Sequence, residues 1–208
     1  MPAQPALAPP ILCFVTDPDL DLDHLTEVVD AAIAGGVSLV QLRLPGRPAG
    51  DVLAVGERLL AMVRGRAGLI VNDRIDVALA IGAAGVQLGE RSLPVAVARR
   101  LIGPDGLIGR SVHSLEGAIE ADCAGADFLV LGTIYPTGSH PGAAGAGPDL
   151  IRAVTAATSR PVIAIGGITA HNVRAVRQAG AAGAAVITAI SRAPDPRRAA
   201  ADLRAALE

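Results

Sequence analysis

Residues Gly68 to Glu90 read GLIVNDRIDVALAIGAAGVQLGE. The stretch opens on a short apolar run, Gly68–Asp73, crosses the helical segment RIDVALAIGA, and closes on a second apolar run, Gly85–Glu90. Both runs are continuous rather than alternating. A strand of that kind is buried on both faces, which is the pattern of a parallel sheet covered by helices. The same alternation continues in both directions. Toward the N-terminus lie the runs Ile11–Asp17 and Val37–Leu44, with helices predicted from Leu20 to Ala34 and Asp51 to Val63. Toward the C-terminus lie Leu107–His113, Phe128–Thr137, Pro161–Ile168 and Ala184–Ile190. Helices are predicted between and after them over Leu93–Leu101, Leu115–Ala124, Asp149–Ala157, Ala170–Ala179 and Arg197–Leu207. Pro94 suits a first helical turn, where a missing N–H costs little.

Eight strand–helix units in 208 residues read as an α/β fold, a single-domain (β/α)8 TIM barrel with eight parallel strands. A doubly wound open sheet is the rival, and it usually has fewer units. One domain over 1–208 is expected, with 1–10 as a flexible tail. The Gly-rich segment Gly138–Gly147 is long enough to form a lid.

Composition narrows the function. Charge is close to neutral, with Asp+Glu 20 against Lys+Arg 18, and every cation is arginine. Near-neutrality gives no basic face for a nucleic-acid backbone, and Phe14, Phe128 and Tyr135 are too few to stack bases. The absence of lysine excludes a side-chain Schiff base and a P-loop. Two cysteines, Cys13 and Cys123, make no disulfide framework and fit a reduced, cytoplasmic setting; both read as small core residues. No apolar run reaches ~18 residues, so no membrane partner is expected.

Chemistry in a TIM barrel sits at the C-terminal strand ends. There the chain places Thr16 and Asp17, Gln41 and Arg43, Asn72 and Asp73, Gln87 and Glu90, Ser111 and His113, Thr133, Tyr135 and Thr137, Gly166 and Gly167, and Ile187 and Thr188. The seventh end, AIGGI, is bare backbone leading toward a helix. Its glycines let N–H groups approach an anion, and a helix start adds a positive end. Asp73 either holds a hard cation such as Mg²⁺ or caps the next helix. Arg43 either grips an anion or makes an ion pair across the barrel mouth. His113 is an acid/base candidate or a brace, and His140 either closes over a ligand or faces solvent. Asp17 is expected to cap the first helix.

These residues resemble a known family. QLR at the second strand end, LIVNDRIDVALAIGAAGVQLG, GRSVHSLEGAIEADCAGADF, GTIYPT, PVIAIGGITAHNV and AAVITAI look, in this order and nearly end to end, like the thiamin phosphate synthase and TenI superfamily. The resemblance implies a TIM barrel acting on thiazole phosphate. One branch, the synthase, joins a pyrimidine diphosphate to thiazole phosphate with Mg²⁺; the other includes thiazole tautomerases, which require no cofactor. On the synthase pattern, Gln41, Arg43, Asn72, Asp73 and Ser111 are retained. The lysine that follows Arg43 in that pattern is Pro45, with Arg47 close enough to stand in. The second metal carboxylate is Ser92 unless Glu90 swings in. The lysine of the loop Thr137–Gly138–Ser139–His140 is His140. Gly166, Gly167, Ile187 and Thr188, the thiazole phosphate end, are intact.

Loss of two cations weakens a diphosphate site more than a monophosphate site, so the residues rank a TenI-like tautomerase first. His113, His140 or Tyr135 would then move the proton and Arg43 would face the carboxylate. The acid/base histidine expected after the sixth-strand glycine is Thr133 here. The synthase stands second, and a thiazole-phosphate-binding regulatory protein third. A homodimer is the one protein partner considered.

Overall fold

A β-strand exposes unpaired N–H and C=O groups on both sides until neighbours cover them. Eight short parallel strands meet that demand here by closing on themselves, in the order β1 to β8 with β8 returning to β1. The computed structural model describes residues 7–138 and 144–208. The strands are β1 Ile11–Val15, β2 Leu39–Leu42, β3 Gly68–Asn72, β4 Gly85–Leu88, β5 Leu107–Val112, β6 Phe128–Leu131, β7 Val162–Ile165 and β8 Gly183–Val186. The helices are α1 Leu22–Ala34, α2 Ala49–Val63, α3 Ile75–Ile81, α4 Val95–Ile102, α5 Leu115–Cys123, α6 Gly147–Ala157, α7 Val173–Gln178, α8 Thr188–Ser191 and α9 Pro196–Leu207. The (β/α)8 barrel read from the sequence is the fold.

The continuous apolar runs fill two separate cores, because successive strand residues point to opposite faces. Leu12 and Phe14 of β1 face outward into the layer beneath the helices. Ile11, Cys13 and Val15 face inward, where they meet Leu39, Ile70, Phe128, Val130, Ile163 and Ala185. Burial pushes the Cys13 thiol up to about 12, so it stays protonated and behaves as a hydrophobe.

Several expected boundaries shift. The run Ala184–Ile190 ends as a strand at Val186, and Thr188–Ser191 winds into the short α8. The strand expected to reach Thr137 stops at Leu131. At the described end of the expected tail, Leu7 lies against the interior core and the Pro10 carbonyl accepts from Arg204 at 2.5 Å, while Ala8 and Pro9 are exposed. Cys123 is exposed on α5 rather than buried. Asp21, not Asp17, caps α1, accepting from the His24 N–H.

The N-terminal side of the barrel is strapped by one ion pair. Asp127 accepts from the buried Ile108 N–H at 2.7 Å and from Arg99 at 2.6 Å. Arg99 also donates to the carbonyls of Gly103 at 3.1 Å and Gly106 at 2.6 Å. Asp127→Ala leaves that buried N–H without its acceptor and removes the charged partner of Arg99, a loss of about 2 kcal/mol. The expected outcome in a thermal melt is a Tm lower by about 4–8 °C; an unchanged Tm would count against the strap.

Candidate active site

The alternation that fills the interior core continues past the strand ends, and it aims Gln41, Arg43, Asn72, Ser111 and His113 into the barrel mouth. There a cavity of about 1180 Å³ opens, lined by the ends of β1 to β5 and by Ile187, Thr188 and Arg192. A second chamber of about 370 Å³ lies over β6 to β8, lined by Thr133, Thr137, Gly166, Gly167 and their neighbours. His113, Gly138, Ile165, Ile187 and Thr188 border both.

Asp73 is the hub of the larger chamber. It is the one non-glycine residue with positive φ among those described, at +60°, a conformation tolerated best by Asp and Asn. Its N–H donates to the Gln87 carbonyl at 2.9 Å. That backbone turns the carboxylate across the mouth, away from α3, whose N-cap is Arg74; the capping alternative therefore fails. Asp73 Oδ1 accepts from the Gly89 N–H at 2.9 Å and from the Ser92 hydroxyl, while Oδ2 accepts from Asn72 Nδ2 at 2.8 Å. Asn72 is itself fixed, because its Oδ1 accepts from Gln41 Nε2 at 2.9 Å.

This donor set decides how a divalent cation would fit. Oδ1 already has two donors, whereas Oδ2 has one. Among the described residues no three His, Cys, Asp or Glu side chains gather at one point. Glu90 does not swing toward Asp73; its Oε1 lies 3.9 Å from His113 Nε2. The residues suit Mg²⁺ held through one carboxylate oxygen and completed by substrate phosphates and water. They do not form a cage that holds it alone.

His113 has a defined tautomer. Its Nδ1 meets the Gly132 carbonyl, which can only accept, so Nδ1 carries the proton. Nε2 then faces Glu90. His113 is thus both braced and set at the border of the chambers. Arg110 holds the neighbouring loop, donating to the Gly89 carbonyl at 2.9 Å and the Glu90 carbonyl at 3.2 Å.

Two arginines that line the larger chamber escape a position-by-position reading of motifs, Arg91 and Arg192. Arg192 is tethered by Asp19 Oδ2 at 3.0 Å and Asp17 Oδ2 at 3.7 Å. Asp17, 3 % exposed, is fixed in turn by Ser191 Oγ at 2.7 Å, so it ties α8 to β1 instead of capping α1. Arg43 and Arg91 make no side-chain hydrogen bond or ion pair within the described residues, leaving both guanidiniums available to a ligand. Only the Arg43 backbone is engaged, its N–H donating to Thr16 Oγ1 at 2.8 Å. Arg47 is exposed and lines neither chamber.

In the smaller chamber Gly166 and Gly167 have φ of +99° and +62°. A Cβ on Gly167 would lie 2.5 Å from the Pro136 carbonyl oxygen, so glycine alone fits. The Gly166 carbonyl accepts from the Tyr135 N–H at 3.0 Å and the Gly167 carbonyl from Asn172 Nδ2 at 2.9 Å. Their carbonyls are thereby turned away, and the N–H groups of Gly166, Gly167 and Ile168 donate to no described residue. Such a concave run of N–H groups is an anion cradle. The expected helix start is not part of it: a turn over residues 169–172 precedes α7.

Tyr135 lines neither chamber, its ring packing against the outer core, which removes it from the acid/base candidates. Ser139 and His140 lie outside the described residues.

The family model described as "Thiamine monophosphate synthase" matches residues 12–190. A thiamine-phosphate synthase of Natronomonas pharaonis is 49 % identical over 187 residues, covering 88 % of this chain and 87 % of that protein. One from Haloarcula marismortui is 45 % identical, covering 94 % and 95 %. Among solved structures, thiamine phosphate pyrophosphorylase from Pyrococcus furiosus superposes with a TM-score of 0.86 at 38 % identity, covering 95 % of each chain. With most of its length matched by the family model and by relatives this similar, the chain belongs to the thiamine monophosphate synthase family.

Proposed function

We propose that this protein is a thiamin phosphate synthase, joining a pyrimidine diphosphate to thiazole phosphate and releasing pyrophosphate. The observation that carries the reading is the pair of uncommitted guanidiniums, Arg43 and Arg91, in the larger chamber, beside a glycine cradle suited to a single phosphate. The names of the Natronomonas and Haloarcula relatives support it.

This reverses the order in which the sequence ranks the two branches. That order rested on two missing lysines. Neither Pro45 nor His140 is a lysine, but folding brings Arg91, uncommitted, and Arg192, paired with Asp19 and Asp17, to the larger chamber. A cation deficit counted along a motif is therefore not a deficit in space. In the proposed reaction the bond to the diphosphate breaks and the pyrimidine carbon is captured by the thiazole. Charge gathers on the departing pyrophosphate, where preorganised cations act most strongly. Arg43 and Arg91 bind that group, while Arg192 on the rim is already paired with Asp19 and Asp17. Asp73 offers an oxygen to Mg²⁺, which supplies further neutralisation of the diphosphate when bound. Gly166, Gly167 and Thr188 hold the thiazole phosphate.

One observation favours the tautomerase: the Glu90–His113 pair, with Nε2 as its basic nitrogen, is built to move a proton. The two readings part on substrate. Purified protein with Mg²⁺ should form thiamin phosphate from the two precursors, and chelation by EDTA should abolish the product. Isomerisation of the non-aromatic thiazole without any coupling would establish the tautomerase instead, and ligand binding with no turnover in either assay would mean a regulatory protein.

Arg43→Ala and Arg91→Ala should each lower kcat/KM by about 10- to 100-fold, the range of one charge-assisted hydrogen bond, while the KM for thiazole phosphate stays near that of the unaltered protein. Gly166→Ala should do the reverse, raising the KM for thiazole phosphate, because a Cβ there lies 2.7 Å from Thr133 Cγ2. Steady-state kinetics with each substrate varied in turn separates these outcomes.

A further inference from the structure

We infer that Gln87, almost fully buried where it borders the floor of the larger chamber, is a positioning residue that fixes the Ser111 hydroxyl as a hydrogen-bond donor to the diphosphate. The inference rests on the synthase reading above.

Gln87 is 1 % exposed and is the inward residue of β4, paired with Asn72 on β3 and Gly109 on β5. Its Nε2 donates to Ser111 Oγ at 2.9 Å. Its Oε1 is buried with no hydrogen-bond partner, and it is the one buried side-chain polar atom in that condition among the described residues. An unsatisfied buried acceptor is costly, and a leucine of similar volume would avoid it. The neighbouring strand also gives way to this side chain. A Cβ on Gly109 would lie 2.2 Å from Gln87 Oε1 and 2.3 Å from Phe128 Cζ. A polar residue is thus kept, and given room, where packing alone favours an apolar one.

The direction of the bond supplies a reason. Turning the amide over would leave two N–H donors facing Gly109 and Phe128, and orphaned N–H groups are rarer than orphaned carbonyls. The nitrogen therefore faces Ser111. With an acceptor site of Ser111 Oγ filled from below, and no protein acceptor for its own proton among the described bonds, the hydroxyl presents that proton to the chamber it lines. An anionic oxygen is the strongest acceptor for it. Gln41 makes the same kind of bond two strands away: it is 5 % exposed, and its Nε2 fills Asn72 Oδ1, so that Asn72 turns its Nδ2 outward, where it donates to Asp73 Oδ2.

The test is a double-mutant cycle. Gln87→Leu and Ser111→Ala are each expected to lower kcat/KM for thiamin phosphate formation by about tenfold. The double variant should be no worse than the poorer single, since both remove one contact. Gln87→Leu should melt no lower than the unaltered protein, because the orphaned carbonyl is gone. Gln87→His, which can donate at the same place, should recover part of the loss. Losses that multiply in the double variant, an unchanged Gln87→Leu, or a loss that follows a falling Tm would each overturn the inference. If Gln87→Leu does not fold, Gln87→Met carries the same comparison. The cycle read on the Kd of inorganic pyrophosphate by calorimetry needs no turnover. A protein that forms no thiamin phosphate overturns the synthase reading, while additive effects on pyrophosphate binding overturn the role of Gln87 on its own.

Discussion

Closure of the parallel ladder is the constraint on which the rest depends. β8 pairs with β1 from Ile11↔Gly183 to Phe14↔Val186, so no edge remains and all eight strands deliver their C-terminal ends to one rim. With the ring closed, a residue's parity along its strand decides whether it faces the helices or the barrel axis. Ile11, Cys13 and Val15 set the inward parity on β1, and Leu39 followed by Gln41 and Arg43 sets it on β2. The same parity carries Ile70 to Asn72 and Phe128 to Val130. Apolar residues at the bottom of each inward file make the core, and polar residues at the top make the site.

The fold was legible because the apolar runs are strong and evenly repeated, and what blurred was local. ITAI after β8 has the composition of a strand, yet the chain has left the ladder by Ile187, and Thr188–Ser191 closes as a helical turn. GITAHN looked like glycine followed directly by helix, but Asn172 Oδ1 accepts from the Thr169 N–H at 2.8 Å and holds a turn there. Asp17 had the residue type and position of a cap; its partner, Ser191, lies 174 residues away, a distance that no local pattern carries. Cys123 is exposed because α5 turns that position to solvent, whereas Cys13 is enclosed in a strand interior that leaves a thiol no alternative.

The candidate site was legible where residues arrive on strands and illegible where they arrive on loops. Gln41, Arg43, Asn72, Ser111 and His113 follow from strand ends plus parity, Asp73 is turned in by its positive φ, and all six line the larger chamber. Tyr135 fails by the same logic: it lies beyond the end of β6, where parity no longer applies, and its ring turns to the core. Arg91 stands on a loop and Arg192 just past the end of α8, so no fixed spacing from a motif marks them. A usable signal did exist. In a chain whose every cation is arginine, an arginine within a few residues of a strand end is a candidate for the mouth whether or not a motif claims it.

The exchange at position 92 ties these points together. A carboxylate there would add a second negative charge beside Asp73, and two such charges at close range require a cation between them or a raised pKa. Serine removes the requirement. Its hydroxyl and the Gly89 N–H together satisfy Asp73 Oδ1, so the carboxylate is neutralised by dipoles before any ion arrives. If the protein acts on a diphosphate as proposed, less metal charge would be held by the protein itself and more of the neutralisation would fall to guanidiniums, which are always protonated. Glu90 sits close by but is turned to His113 at 3.9 Å, which keeps its charge off Asp73. On the proposed synthase reading, that single hydroxyl would leave metal binding to depend on substrate phosphates, and the remaining charge to Arg43 and Arg91.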